Sequence, residues 1–219
     1  QRFNMPDTQL ALHGGTPVIT RPIKGFNTIG EEELAAVTAV MKTGVLSAYV
    51  GAPGAAFMGG PRVRKFETEA AAYFGVRHAV AVNSWTSGLI AAVGAIGVEP
   101  FDEIITTPWT MVASAAAILH WNAIPVFADI DPATFNIDPK SVERMITPRT
   151  RAIMAVDIFG QSCDVEALRV ICKRHNLKLI TDTAQSPGAT RNGAHAGTLG
   201  DIGGFSLNYH KHIHCGEGG

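Results

Sequence analysis

The chain reads as an α/β protein, a three-layer α/β/α domain with a mostly parallel sheet, and three observations predict it. From residue 78 onward, short apolar and β-branched runs alternate with helical patterns. The runs consist mostly of apolar and β-branched residues, as strands covered on both faces tend to do. Polar groups suited to ligand binding (Ser84-Trp85-Thr86, Pro108-Trp109, Asp157 and Asp182) fall just past several of them. Parallel sheets bind their ligands there, outside the carboxyl ends of strands.

Each element follows from its local pattern. A helix is predicted over Glu31 to Thr43, with Leu34, Val37, Val40 and Met41 on one face and Gly44 as its stop. Leu46 to Pro61 is rich in glycine and alanine, carries Pro53 and Pro61, and reads as a long loop of the kind that often serves function. A second helix is predicted from Val63 to Phe74, ended by Gly75. His78 to Val82 reads as a strand, then a helix from Thr86 to Ile96. Glu103 to Thr107 is a strand and Met111 to Trp121 a helix. Ile124 to Ala128 is a strand and Pro139 to Ile146 a short helix. Arg151 to Val156 is a strand; Val165, Leu168, Ile171 and Cys172 mark the buried face of the helix after it. Leu177 to Thr181 is a strand ending at Asp182, and Gly203 to Leu207 another.

Composition narrows the class. The 219 residues are 46% hydrophobic and 17% charged, enough to bury a sizeable core. A formal net charge of -1 gives no reason to expect nucleic acid or an anionic membrane as partner. The three cysteines, Cys163, Cys172 and Cys215, are odd in number and lack a CxxC spacing, so neither a disulfide framework nor a zinc ribbon is suggested. No secretory leader pattern opens the chain and no apolar stretch approaches membrane-spanning length. Cytoplasm is the expected location. The chain stops at Gly218-Gly219, a pair that normally connects elements, so a further C-terminal portion is expected beyond it.

The chemistry concentrates in two segments. Lys211 lies in Phe205-Ser206-Leu207-Asn208-Tyr209-His210-Lys211, ahead of Gly216-Glu217-Gly218-Gly219, and Asp182-Thr183-Ala184-Gln185 closes an apolar run. A lysine amine, a strand-end carboxylate and a nearby serine are three groups that a pyridoxal phosphate enzyme requires. The amine forms a Schiff base with the aldehyde, and the carboxylate keeps the pyridine nitrogen protonated so that the ring accepts electrons. The Ser206 hydroxyl suits the cofactor phosphate.

Each group also has an ordinary reading. A lone lysine is usually a solvated charge. Asp182 at a strand end can be a helix cap or a magnesium ligand, although a buried carboxylate needs a cationic partner. Gln185 can bond the cofactor's phenolic oxygen or merely a turn. Ser84-Trp85-Thr86-Ser87-Gly88 can present backbone N–H groups to a phosphate or be a plain Ser/Thr cap. It is neither a P-loop nor a GxGxxG. Trp109 can lie over a pyridine ring or be a core aromatic. His210, His212 and His214 alternate as metal ligands would on an extended segment, but no carboxylate spacing supports a metal, and none is expected.

Taken together these residues resemble the DegT/DnrJ/EryC1/StrS family, the sugar aminotransferases among fold-type I pyridoxal phosphate enzymes. The likeness begins at Leu10-Ala11-Leu12-His13-Gly14-Gly15-Thr16-Pro17 and runs to Gly219. It includes Val80 to Leu89, Pro125-Val126-Phe127-Ala128-Asp129-Ile130, Asp157-Ile158-Phe159-Gly160-Gln161 and Asp182 to Gln185. The stretch from Phe205-Ser206 through Lys211 to Gly216-Glu217-Gly218-Gly219 is the most specific. By that resemblance Lys211 is the Schiff-base lysine, Asp182 the ring-nitrogen partner and Gln185 a ring-oxygen contact. Ser206 and the Trp85-Thr86 backbone hold the phosphate, and Trp109 stacks on the ring. The chain departs from the commoner pattern with Trp85 where glycine is frequent and Thr183 where alanine is frequent. Some members carry histidine at the lysine position and are dehydratases; lysine here favours transamination.

The resemblance implies an N-terminal arm over 1–30 and the large cofactor-binding domain over 31–219, with a small C-terminal domain to follow. It implies transfer of an amino group from glutamate or glutamine to a keto sugar, commonly nucleotide-linked, in polysaccharide or secondary-metabolite biosynthesis, by a homodimer. A dehydratase or lyase on the same fold, or a non-catalytic sugar-nucleotide-binding relic, are the alternatives.

Overall fold

Ile104 and Ile105 are sequence neighbours and both fully buried, which a strand permits only where both faces of its sheet are covered. The structure, a computed structural model, describes residues 9–22 and 28–219. The arm expected over 1–30 therefore lies partly outside the described residues. Those up to Met58 form one compact unit, and Gly59–Gly219 form a second that holds the sheet.

In the first unit, α1 (Glu31–Thr43) starts with three glutamates that complement the helix dipole and ends at Gly44, whose φ of 68° is left-handed. Its expected apolar face is uncovered, and none of its residues is buried. Residues 45–60 form neither helix nor strand, as the glycine, alanine and proline content predicts. The second unit begins with α2 (Pro61–Phe74), where Pro61 occupies the first turn and Gly75 the left-handed stop.

The sheet has five strands, all parallel. They are β1 (Glu103–Thr106), β2 (Ile124–Phe127), β3 (Thr150–Val156), β4 (Lys178–Asp182) and, after a hairpin of β5 (Thr190–Arg191) and β6 (Ala194–His195), β7 (Ile202–Gly204). Their order is β2-β1-β3-β4-β7. Helices α3 (Trp85–Ala95) and α4 (Ala113–Leu119) cover one face, packing Leu89, Val93, Ala117 and Ile118 on Ile104, Ala152, Met154 and Ile180. On the other face α5 (Pro139–Arg144) and α6 (Val165–His175) bring Val142, Leu168 and Ile171 onto Ile105, Ile153, Ala155 and Leu179. The consecutive residues Ala152 to Ala155 thus feed the two cores alternately, which is the period-two rule of a strand. The helices are punctuated as their sequences suggest. Ser84, Asp138 and Asp164 cap α3, α5 and α6 with side-chain oxygens, and Asn176 ends α6 in the left-handed region.

Three elements differ from expectation. Residues 78–82 form no strand: Val82 exchanges two backbone hydrogen bonds with Gly219, at 2.9 and 3.0 Å, and a single rung does not make a ladder. β7 ends at Gly204 rather than Leu207, because Leu207 bonds Gly218 and Cys215 across a loop instead of β4. The β5–β6 hairpin was not expected. Its Asn192-Gly193 turn has positive φ at both residues, 50° and 79°, the geometry that this dipeptide favours in two-residue hairpins.

Candidate functional site

Asp182 is the last residue of β4, and β4 lies between β3 and β7, so the carboxylate emerges at the carboxyl edge of a covered sheet. Only 4% of the residue is exposed. Its Oδ1 accepts the Trp85 indole N–H at 2.8 Å and the Ala184 backbone N–H at 3.3 Å, and its Oδ2 accepts the Ser114 hydroxyl at 2.8 Å. None of these donors is charged. Burial therefore pushes the Asp182 carboxyl above its ordinary range, against the pull of the three hydrogen bonds and of the Lys211 charge. A buried carboxylate in this condition takes a cationic partner when one is offered.

A second carboxylate stands behind it. Asp157 follows β3, is fully buried, and accepts the Cys163 backbone N–H at 2.8 Å and the Thr183 hydroxyl at 2.7 Å. Burial raises its carboxyl too, and the neighbouring Asp182 charge adds to the effect. Burial also pushes the Cys163 thiol well up, so that this cysteine is not a nucleophile.

The N-terminus of α3 faces the same region. Ser84 accepts the Ser87 N–H at 3.1 Å, and the Gly88 N–H bonds the Ser84 carbonyl. The Trp85 and Thr86 N–H groups have no protein acceptor among the described residues, leaving two oriented donors at the positive end of the helix dipole. Beside them runs the loop 205–219. It is pinned at its base by the Leu207–Gly218 and Leu207–Cys215 backbone bonds and at its end by the Val82–Gly219 rung. A Cβ on Gly219 would collide with the Ser84–Trp85 peptide, so the close approach needs glycine. Within this loop Lys211 is half-buried and its backbone N–H closes a turn on Asn208. Asn208 is braced by Glu217 at 2.6 Å, and the Ser206 hydroxyl accepts the Asn208 N–H at 3.3 Å.

Aromatic residues form another wall. Trp109 follows β1, is 47% exposed, and meets Phe159 edge-on at 6.5 Å and Phe135 at 6.2 Å. It is therefore not the core aromatic of its ordinary reading. Phe159 holds a left-handed backbone, φ 53°, a cost that recurs at functional sites. Gln185 accepts the Phe159 N–H at 3.2 Å and Ser186 accepts the Gly160 N–H at 3.1 Å, and both bonds sustain that turn. The Gln185 amide N–H groups have no protein partner among the described residues.

Asp182, Trp85 and the Lys211 charge are thus brought together, with Thr86, Ser206, Trp109 and Gln185 on elements that end at the same edge. His210 lies in a turn, His212 in a bend and His214 in irregular chain, not on one face of an extended strand. Sequence reading missed Ser114, the Thr183–Asp157 bond and the use of the Trp85 side chain. Thr183 and Trp85 had signals, since both depart from the family pattern; Ser114 had none within its alanine-rich helix.

The family model of the DegT/DnrJ/EryC1/StrS aminotransferase family matches residues 27–219. The chain is 39% identical over 213 residues to an L-glutamine:2-deoxy-scyllo-inosose aminotransferase of Streptoalloteichus tenebrarius, covering 96% of this chain and 49% of that protein. Among solved structures, an aminotransferase from Psychrobacter cryohalolentis matches with a TM-score of 0.82 at 33% identity, over 90% of this chain and 48% of the other. An E. coli GDP-4-keto-6-deoxy-D-mannose-3-dehydratase with bound hydrated PLP matches with a TM-score of 0.79 at 28% identity, over 88% and 48%. The chain spans about half the length of the relatives it matches.

Proposed function

Because the chain belongs to the DegT/DnrJ/EryC1/StrS aminotransferase family, we propose that it holds pyridoxal phosphate and moves an amino group from glutamine or glutamate to a keto sugar, commonly nucleotide-linked. The observation that carries this reading is Asp182. It is a buried carboxylate whose hydrogen-bond donors are all neutral; burial raises it and the Lys211 charge pulls it down, so a protonated pyridine ring would suit it as partner.

The donors present fit the group. The N–H groups of Trp85 and Thr86, unpartnered among the described residues, would hold its phosphate together with the Ser206 hydroxyl. The exposed Trp109 indole would shield the ring, and the Gln185 amide would donate to the ring oxygen. Asp182 would keep the proton on the ring nitrogen. When bound, the group supplies an aldehyde carbon that takes up the amino nitrogen and a ring that withdraws electrons from the carbon bearing it. Lys211 would provide the amine that anchors it and, once released, would carry the proton that moves during transfer.

We take 31–219 as the cofactor domain, with 1–30 as an arm. A homodimer in the cytoplasm is the proposed state; no helix among the described residues is long and apolar enough to cross a membrane. Among the solved structures a dehydratase also matches. The lysine at 211, where dehydratases of the resembled family carry histidine, favours transfer over dehydration.

The test is borohydride reduction of the intact protein loaded with pyridoxal phosphate, followed by peptide mapping and assay against a panel of keto sugars with glutamine. Cofactor label on the Lys211 peptide, together with amino-sugar formation, is the expected result. Label elsewhere, or none, overturns the reading.

A further inference from the structure

The side chain of Trp85 occupies a place that the family pattern commonly leaves to glycine, and the surrounding chain is shaped to receive it. Its ring is buried between Gly88 on its own helix and Gly204 at the end of β7, and a Cβ on either glycine would overlap the indole. Leu89, Ile180, Ala184 and Ile202 belong to the same core. From that slot the indole N–H reaches Asp182 Oδ1 at 2.8 Å. On the opposite side Ser114 donates to Oδ2 at 2.8 Å, and Thr110, 3.2 Å from the Ser114 oxygen, supplies that hydroxyl with a donor in turn.

Counting acceptor sites makes the arrangement specific. A carboxylate oxygen takes about two hydrogen bonds, and an indole N–H can only donate. Trp85 and Ala184 together fill Oδ1, so this oxygen cannot carry the proton without losing a bond. Ser114 uses one site of Oδ2 and leaves one acceptor site on Asp182. We infer that Trp85 and Ser114 are positioning residues: they lock the Asp182 carboxylate in orientation, before any cofactor arrives, so that its one remaining acceptor site on Oδ2 serves the protonated ring nitrogen of pyridoxal phosphate. The inference rests on the cofactor reading above and adds to it how the ring partner is held. Trp85 therefore acts at both ends of the cofactor, with its backbone N–H toward the phosphate and its indole through Asp182 toward the ring.

The test compares two ligands on the intact apo-protein by direct binding titration. These are pyridoxal phosphate and its 1-deaza analogue, in which carbon replaces the ring nitrogen and nothing is offered to Asp182. The wild type is expected to prefer pyridoxal phosphate by roughly ten- to hundredfold, the scale of one hydrogen bond to a charged group. Trp85→Phe keeps a ring between Gly88 and Gly204 but removes the donor. It should reduce that preference by about tenfold while the analogue binds as before. Lys211, whose charge acts on Asp182, and Asp157, which feels the Asp182 charge, stay in place in this variant.

Equal weakening of both ligands would mean that Trp85 merely fills space, and an unchanged preference would mean that its N–H is idle; either result overturns the inference. Ser114→Ala removes only a hydroxyl and is read the same way, so it carries the test alone should Trp85→Phe fail to fold. A wild type that binds neither ligand overturns the cofactor reading itself, whereas one that binds both alike overturns the inference alone, which keeps the two failures distinct.

Discussion

Asp182 and Asp157 are carboxyls whose proton affinity burial raises, and this has a signed consequence for stability. A carboxyl raised in the folded state holds a proton that the unfolded chain releases from about pH 4 upward. Its stabilising contribution is complete below that pH and is lost as pH rises through the folded value. Asp157→Asn mimics the protonated acid without titrating. The melting temperature of the apo-protein should therefore exceed that of Asp157→Asn most near pH 4, and the gap should shrink toward neutrality. A gap that widens with pH would show Asp157 to be a stabilising anion instead. Asp182→Asn should leave the fold in place but lower turnover by roughly a hundredfold, the scale on which one preorganised polar contact at a reacting group affects rate. Steady-state kinetics and circular dichroism on the same sample check both halves. The buried strand-end position of Asp182 was legible, because an apolar run leads directly into it. Ser114 was not, because its bond to Asp182 joins positions far apart in the chain.

The elements were read best where a strand is buried on both faces. β1, β3 and β4 are near-continuous apolar runs and appear within a residue or two of their expected bounds. The run 78–82 carries a similar pattern, yet a strand also needs a neighbour, and among the described residues it has only the Val82–Gly219 rung. The β5–β6 hairpin was missed for a different reason, since its Asn192-Gly193 signal is local and was overlooked beside the βα rhythm. Two element-level substitutions probe the site's scaffold. Ser84→Ala removes the α3 cap and should cost about 1 kcal/mol of stability in chemical denaturation. Gly204→Ala places a methyl against the Trp85 ring at the end of β7. Overpacking of this kind costs about 1–3 kcal/mol. Because the indole must shift away from Asp182, cofactor affinity should fall with stability, and a variant that loses neither would show that the slot has room to spare.

At the scale of the whole molecule, the class of fold was readable and the strand order was not, because alternation of elements fixes parallelism but not which strands become neighbours. Apolar residues left in water offer a further prediction. Leu34, Val37 and Met41 recur at helical spacing along one face of α1, and each is 59–60% exposed. A stripe of this kind on a polypeptide of 219 residues is a site for association. The chain expressed as these residues alone should therefore sediment as dimers or larger species whose weight rises with concentration. Val37→Lys puts a charge in the middle of the stripe and should shift sedimentation toward the monomer, while β1, β3 and β4 keep their circular-dichroism signal. If the unsubstituted chain stays monomeric at every concentration, the stripe is not an association surface, and the proposed homodimer must be built from another face. If Val37→Lys associates as strongly as the parent, the contact lies elsewhere among the exposed apolar residues, which include Val80 at 75%.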